Sequence, residues 1–172
     1  MIGSNMKKFL TVAGAAIAGS AITVAVIGLF LQSKTIISPY RMPYQTNIVR
    51  ATEENQDFRH VLFTGARSQL VVMSIPPGGE VGEESHENVE QTLFFQSGTG
   101  EAILDGQTTP IVPGDIVVVT PGTQHNFKNT GDIPMKIWTL YAPPNHIDGR
   151  VQRTKADADA DTADEAFGEA VH

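Results

Sequence analysis

The chain has 172 residues and no cysteine. That absence excludes a disulfide framework, a thiolate metal site and a cysteine nucleophile. It agrees with export without requiring it. Charge is scarce too, at 18% of residues against about 25% in ordinary soluble domains. The basic sign is the rarer one: 12 Lys+Arg face 19 Asp+Glu, a formal net charge of −7. Such a chain lacks the broad basic face that displaces counterions from phosphates, so nucleic acid is not an expected partner. A GxGxxG fingerprint, a phosphate-binding loop and internal repeats are missing as well. The length suits one domain with its own core rather than two.

What is present is unevenly spread. Residues 1–32 carry two lysines and no acid, and residues 155–172 carry one lysine and six acids. The low charge density comes from residues 9–31, a run of 23 without a single charge. At about 1.5 Å per residue, a helix of that length crosses the roughly 30 Å hydrocarbon core of a bilayer. Lys7 and Lys8 stand just before it, which favours an N-terminus inside and the remainder outside. The expected organisation is a short cytoplasmic N-terminus (1–8), a transmembrane anchor (9–31) and a connector (32–56) held extended by Pro39 and Pro43. The rival reading is a cleaved signal sequence, which would leave a secreted or periplasmic protein. Its apolar region normally runs only about 7–15 residues, and no small-x-small site follows Leu31.

From Asp57 onward short β-branched and aromatic runs alternate with Gly, Pro, Asn and Asp turns. The pattern predicts strands near 59–63, 69–75, 91–96, 101–104, 108–112, 116–119, 125–129 and 135–141. Strands so spaced mean an all-β sandwich or barrel. Asp105-Gly106 is the clearest tight hairpin. The strand pattern stops after Pro143-Pro144. The tail, 149–172, alternates Ala with Asp and reads as a solvated, frayed helix or disordered acidic segment.

Two of the five histidines stand in unusual company. His86 lies among Glu80, Glu83, Glu84, Glu87 and Glu90. His125 follows the turn Thr120-Pro121-Gly122-Thr123-Gln124. Imidazole nitrogens and carboxylate oxygens together suit divalent Fe, Mn, Ni, Co or Zn. Glu84 and His86, two residues apart, share one face of an extended chain.

These segments resemble the two motifs of the cupin superfamily. The first reads Gly78-(five)-Glu84-x-His86-(four)-Gln91-(six)-Gly98. The second reads Gly114-(five)-Thr120-x-Gly122-(two)-His125-(three)-Asn129, with Thr120 where Pro is usual. The resemblance spans 57–148 and implies a small antiparallel β-barrel, a jelly roll. It places metal ligands on Glu84, His86, Gln91 and His125, where the commonest pattern has three His and one Glu. Glu90 competes with Gln91 for the fourth place, but alternation groups Gln91 with Leu93 and Phe95. The set keeps a single anion and is rich in oxygen, which favours Mn or Fe over Ni, Co or Zn.

The resemblance implies a small-molecule ligand, sugar- or acid-like, and isomerase-like or dioxygenase-like chemistry. The alternative is a non-catalytic, membrane-tethered module that holds a metal or ligand. It also implies a homodimer. No motif places a separate Lys or Tyr base. Asn129 and the motif glycines read as turn residues, Trp138 and Tyr141 as core or pocket wall. Either Arg59 or His60 is expected to point inward. The phrase Tyr141-Ala-Pro-Pro-Asn-His146 is similar to the strand exit of small bacterial cupins resembling phosphomannose isomerases, and His146 receives no site role.

Overall fold

β-branched and aromatic residues at alternate positions build nine strands among the described residues, 43–170 of the computed structural model. They are β1 (Arg59–Thr64), β2 (Gln69–Ile75), β3 (Glu90–Ser97), β4 (Gly100–Leu104), β5 (Gln107–Ile111), β6 (Ile116–Val119), β7 (His125–Asn129), β8 (Met135–Ala142) and β9 (Val151–Gln152). All the ladders are antiparallel. One sheet runs β6-β3-β8-β2-β1-β9 and the other β5-β4-β7. The Asp105-Gly106 hairpin joins β4 to β5 with φ of 46° and 79°, the positive pair that a two-residue turn of matching twist requires.

The segment before β3 extends the smaller sheet. Its backbone runs antiparallel to β7, through Gly78 N to Asn129 O at 3.0 Å and Val81 N to Phe127 O at 2.9 Å. Asn126 braces it, accepting from Gly82 N at 3.0 Å and donating to Glu80 Oε2 at 2.9 Å. Asn129 closes the far end, donating to the carbonyls of Ile75 and Ile133 and accepting from Gly131 N.

The core lies between the sheets. Val71, Met73 and Ile75 of β2, Leu93 and Phe95 of β3, and Met135 and Ile137 of β8 are wholly buried, with Phe127 of β7 opposite. Toward one mouth the same inward rows turn polar, at Gln69, Gln91, Thr139 and Tyr141. Trp138 falls on the outer face instead, stacked on Phe94 with centroids 5.3 Å apart.

Three helices lie outside the barrel pattern. In the described part of the connector, α1 (Ile48–Glu54) is capped by Asn47, whose side chain accepts from Arg50 N. It packs on β8, β2 and β3, so the connector is not extended throughout. Gln96 of β3 fixes it by donating to Val49 O at 2.9 Å, and Lys136 of β8 donates to Asn55 O just beyond its end.

The tail is helical, one of its two expected forms, but it is docked rather than solvated. β9 pairs with β1. After it come α2 (Lys155–Asp159) and α3 (Thr162–Ala170). A capping box between Thr154 and Asp157 starts α2. Asp164 and Gly168 of α3 are buried, so this segment is part of the domain. The anchor assigned to 9–31 lies outside the described residues. Among those residues no helix is long and apolar enough to cross a membrane.

Candidate metal centre

Register brings the first two ligands together. Glu84 N donates to His125 O and His125 N donates to Glu84 O, both at 2.9 Å. In such a hydrogen-bonded antiparallel pair both side chains leave the sheet on the same side. His86, two residues on, shares that side. One ligand atom from each of Glu84, His86 and His125 falls within 4.8 Å of the others. Two bonds of about 2.1 Å to one ion would set a ceiling near 4.2 Å, so small side-chain adjustments suffice.

The state of each donor suits a cation. His125 is 2% exposed, and its Nδ1 lies 2.9 Å from Thr123 O. A carbonyl can only accept, so Nδ1 carries the proton and Nε2 keeps its lone pair. That Nε2 is buried and has no hydrogen-bond partner among the described residues. Burial also pushes the His125 pKa down, against the opposing effects of the Thr123 carbonyl and Glu84. The ring is thus held neutral, as a ligand must be.

Glu84 Oε2 lies 3.1 Å from His86 Nε2, and Glu84 Oε1 lies 3.5 Å from an Arg59 guanidinium nitrogen. Burial alone would raise the Glu84 carboxyl. The His86 hydrogen bond and the Arg59 charge outweigh it and hold the group at about 2. A carboxylate that acidic is a ligand rather than a base for chemistry near neutral pH.

Gln91 faces inward and is 2% exposed, while Glu90 is exposed, which decides between them for the inner face. Its Oε1 is buried without a hydrogen-bond partner among the described residues. It pairs in register with Tyr141, whose ring lies edge-on to His86 with centroids 6.3 Å apart. The cluster of two imidazoles and one carboxylate therefore fits a divalent ion, and Gln91 adds a buried amide oxygen on the inward row of β3.

Residues 71–141 match the cupin domain family. The chain belongs to the cupin superfamily. The chain is 42% identical over 122 residues to protein YrkC of Bacillus subtilis, covering 67% of this chain and 66% of that protein, just under two thirds of its length. The crystal structure of BH2720 from Bacillus halodurans shares 34% identity, with a TM-score of 0.68 over 69% of this chain and 95% of that one. A double-stranded β-helix protein from Klebsiella pneumoniae, 23% identical, shares the fold with a TM-score of 0.51 over 67% of this chain and all of that one.

The cupin barrel opens into a cavity of about 470 Å³ lined by Arg59, Glu84 and His86 on one side and His146 and α3 on another. Arg59, not His60, is the β1 residue that turns inward; it is 8% exposed and also reaches Gln152 at 3.2 Å. His146 was not expected here. It lies outside both motifs, and the contacts that place it come from distant residues. Gln69 holds its backbone on both sides, accepting from His146 N at 2.9 Å and donating to His146 O at 2.7 Å.

Proposed function

We propose that this cupin binds a divalent transition metal through Glu84, His86, Gln91 and His125 and acts on a small sugar- or acid-like molecule in the adjoining cavity. The observation that carries the reading is the His125 ring, its Nδ1 anchored on Thr123 O and its buried Nε2 left without a hydrogen-bond partner among the described residues, beside Glu84 and His86. The oxygen-rich donor set favours Mn or Fe.

When bound, the ion supplies Lewis acidity toward ligand oxygens, the basis of isomerase-like or dioxygenase-like chemistry. The residues do the rest. Thr123 O fixes the His125 tautomer. Arg59 orients the Glu84 carboxylate and offers positive charge to an acidic ligand. The mostly polar cavity wall favours ligands with several oxygens. Exposed Ile116 and Val118 on edge strand β6 support pairing of two copies as a homodimer. The apolar run 9–31 supports tethering on the extracytoplasmic side of a membrane, which N-terminal sequencing of the mature chain tests.

Metal analysis of the purified full chain tests the main reading. One equivalent of Mn or Fe is expected after loading, and His125→Ala abolishes it. A wild-type chain that stays metal-free after loading with Mn, Fe, Ni and Zn overturns it.

A further inference from the structure

The cavity has a wall that owes nothing to the metal ligands. His146 lies on it, 5% exposed. Its Nδ1 is 2.7 Å from Oδ2 of Asp164 in α3. Asp164 also accepts from Ile147 N at 2.7 Å and from Gln152 Nε2 at 3.3 Å, so the carboxylate is fixed from three directions. A carboxylate surrounded by donors accepts; Nδ1 therefore holds the ring proton and Nε2 holds the lone pair. This Nε2 is buried and has no hydrogen-bond partner among the described residues. Most buried side-chain nitrogens have a partner, so this one calls for an explanation. The tail delivers Asp164, and the Gln69 clamp delivers His146.

We propose that His146, oriented by Asp164, is the proton-accepting group of the cavity, serving a small hydroxyl-bearing ligand. It deepens the reading above by naming the base that the metal-ligand set lacks, and it rests on that reading for the nature of the ligand. In the step, the ligand O–H bond breaks as its proton bonds to Nε2. The electron pair stays on the ligand oxygen. The Nδ1 proton stays in place, and the Asp164 carboxylate balances the imidazolium. Arg59 and Glu84 act on this ring through their charge, Tyr141 packs against it, and the cavity wall beyond carries Lys155, Glu165 and Glu169. Arg59 opposes its protonation and Glu84 favours it. Tyr141 packs edge-on against it at 4.9 Å. Asp164 acts here as a positioning residue.

The test uses the full chain, with and without Mn²⁺, and diethylpyrocarbonate as probe. The reagent is attacked by an unprotonated imidazole nitrogen that it can reach. Peptide mapping should find His146 modified, and nitrogen NMR of the ring should show Nε2 unprotonated. Asp164→Asn should slow the modification about tenfold, the scale on which loss of an orienting carboxylate weakens a histidine. An unmodified His146, or a proton on Nε2, overturns the proposal without need of any variant. An unchanged or faster reaction in Asp164→Asn overturns the role of Asp164. His125→Ala, which removes the metal, should leave the His146 reaction intact, so failure of the metal reading and failure of this one are separate results.

Discussion

Glu84 and His125 are bound to each other twice through their backbones before their side chains meet, each amide donating to the other's carbonyl at 2.9 Å. The candidate metal site is thus a property of strand register, not of loop conformation. A slip of one residue between the 78–86 segment and β7 would turn Glu84 and His86 away from His125 together. What fixes that register fixes the site.

Asn126 is the side chain that pins it. It bonds Gly82 N and Glu80 Oε2 across the two strands. Asn126→Ala removes both bonds and leaves one amide unsatisfied. The expected cost is about 1–3 kcal/mol of stability, with metal affinity falling about tenfold. Urea melts and Mn²⁺ titrations of the variant check the two effects, and unchanged affinity would remove Asn126 from this role.

Gly100, at the start of β4, is a position where only hydrogen fits. A Cβ there would sit 2.1 Å from Lys128 O, a backbone atom in the paired strand β7. Neither strand can withdraw without breaking the ladder that carries His125. Gly100→Ala should therefore destabilise the domain by about 3 kcal/mol, at the upper end for overpacking. A urea midpoint equal to that of the wild type would contradict the close approach.

The barrel was legible because strands advertise themselves locally. β3 alternates Gln91, Leu93 and Phe95 inward, and turn residues bracket it. The same alternation identified Gln91 over Glu90. The helix before β1 and the docking of the tail helices were not legible for the opposite reason. α1 has seven residues and buries only Thr52, too little for an apolar stripe. α2 and α3 alternate Ala with acids, which reads as a solvated surface. Their order comes from Asp161 meeting Arg150 and Asp164 meeting His146, partners 11 and 18 residues away. No window of local sequence contains those pairings, and His146 was overlooked with them.

Those acids make tail docking pH-dependent. The Arg150 and Gln152 hydrogen bonds hold the Asp161 carboxyl at about 2, below its usual 3.8. A depressed carboxyl contributes its stability in full above its unfolded value and loses it as pH falls through the folded one. Docking of 155–170 should therefore be constant near neutrality and weaken between about pH 4 and about pH 2. Hydrogen exchange of tail peptides should rise in that window ahead of β3 and β8. Asp161→Asn should remove the part of this dependence due to Asp161 and loosen the tail already at pH 7.

Gln91 offers a sharper test of the ligand set. Its buried Oε1 has no hydrogen-bond partner among the described residues, and Tyr141 and Val119 stand opposite it in the flanking strands. Gln91→Glu keeps the shape and adds a charge. Without metal, a second carboxylate at the mouth that holds Glu84 is buried and unpaired, so the apo chain should lose about 1–3 kcal/mol. With metal, that charge becomes a ligand, and affinity for Mn²⁺ should rise about tenfold, or 1.4 kcal/mol. The two effects have opposite signs, so the melting temperature of the variant should lie below the wild type in chelator and approach or pass it in excess Mn²⁺. Gln91→Leu should do the reverse, tolerating chelator and binding metal more weakly. If Gln91→Glu is destabilised equally with and without metal, the amide oxygen is not a ligand, and the site rests on Glu84, His86 and His125 alone.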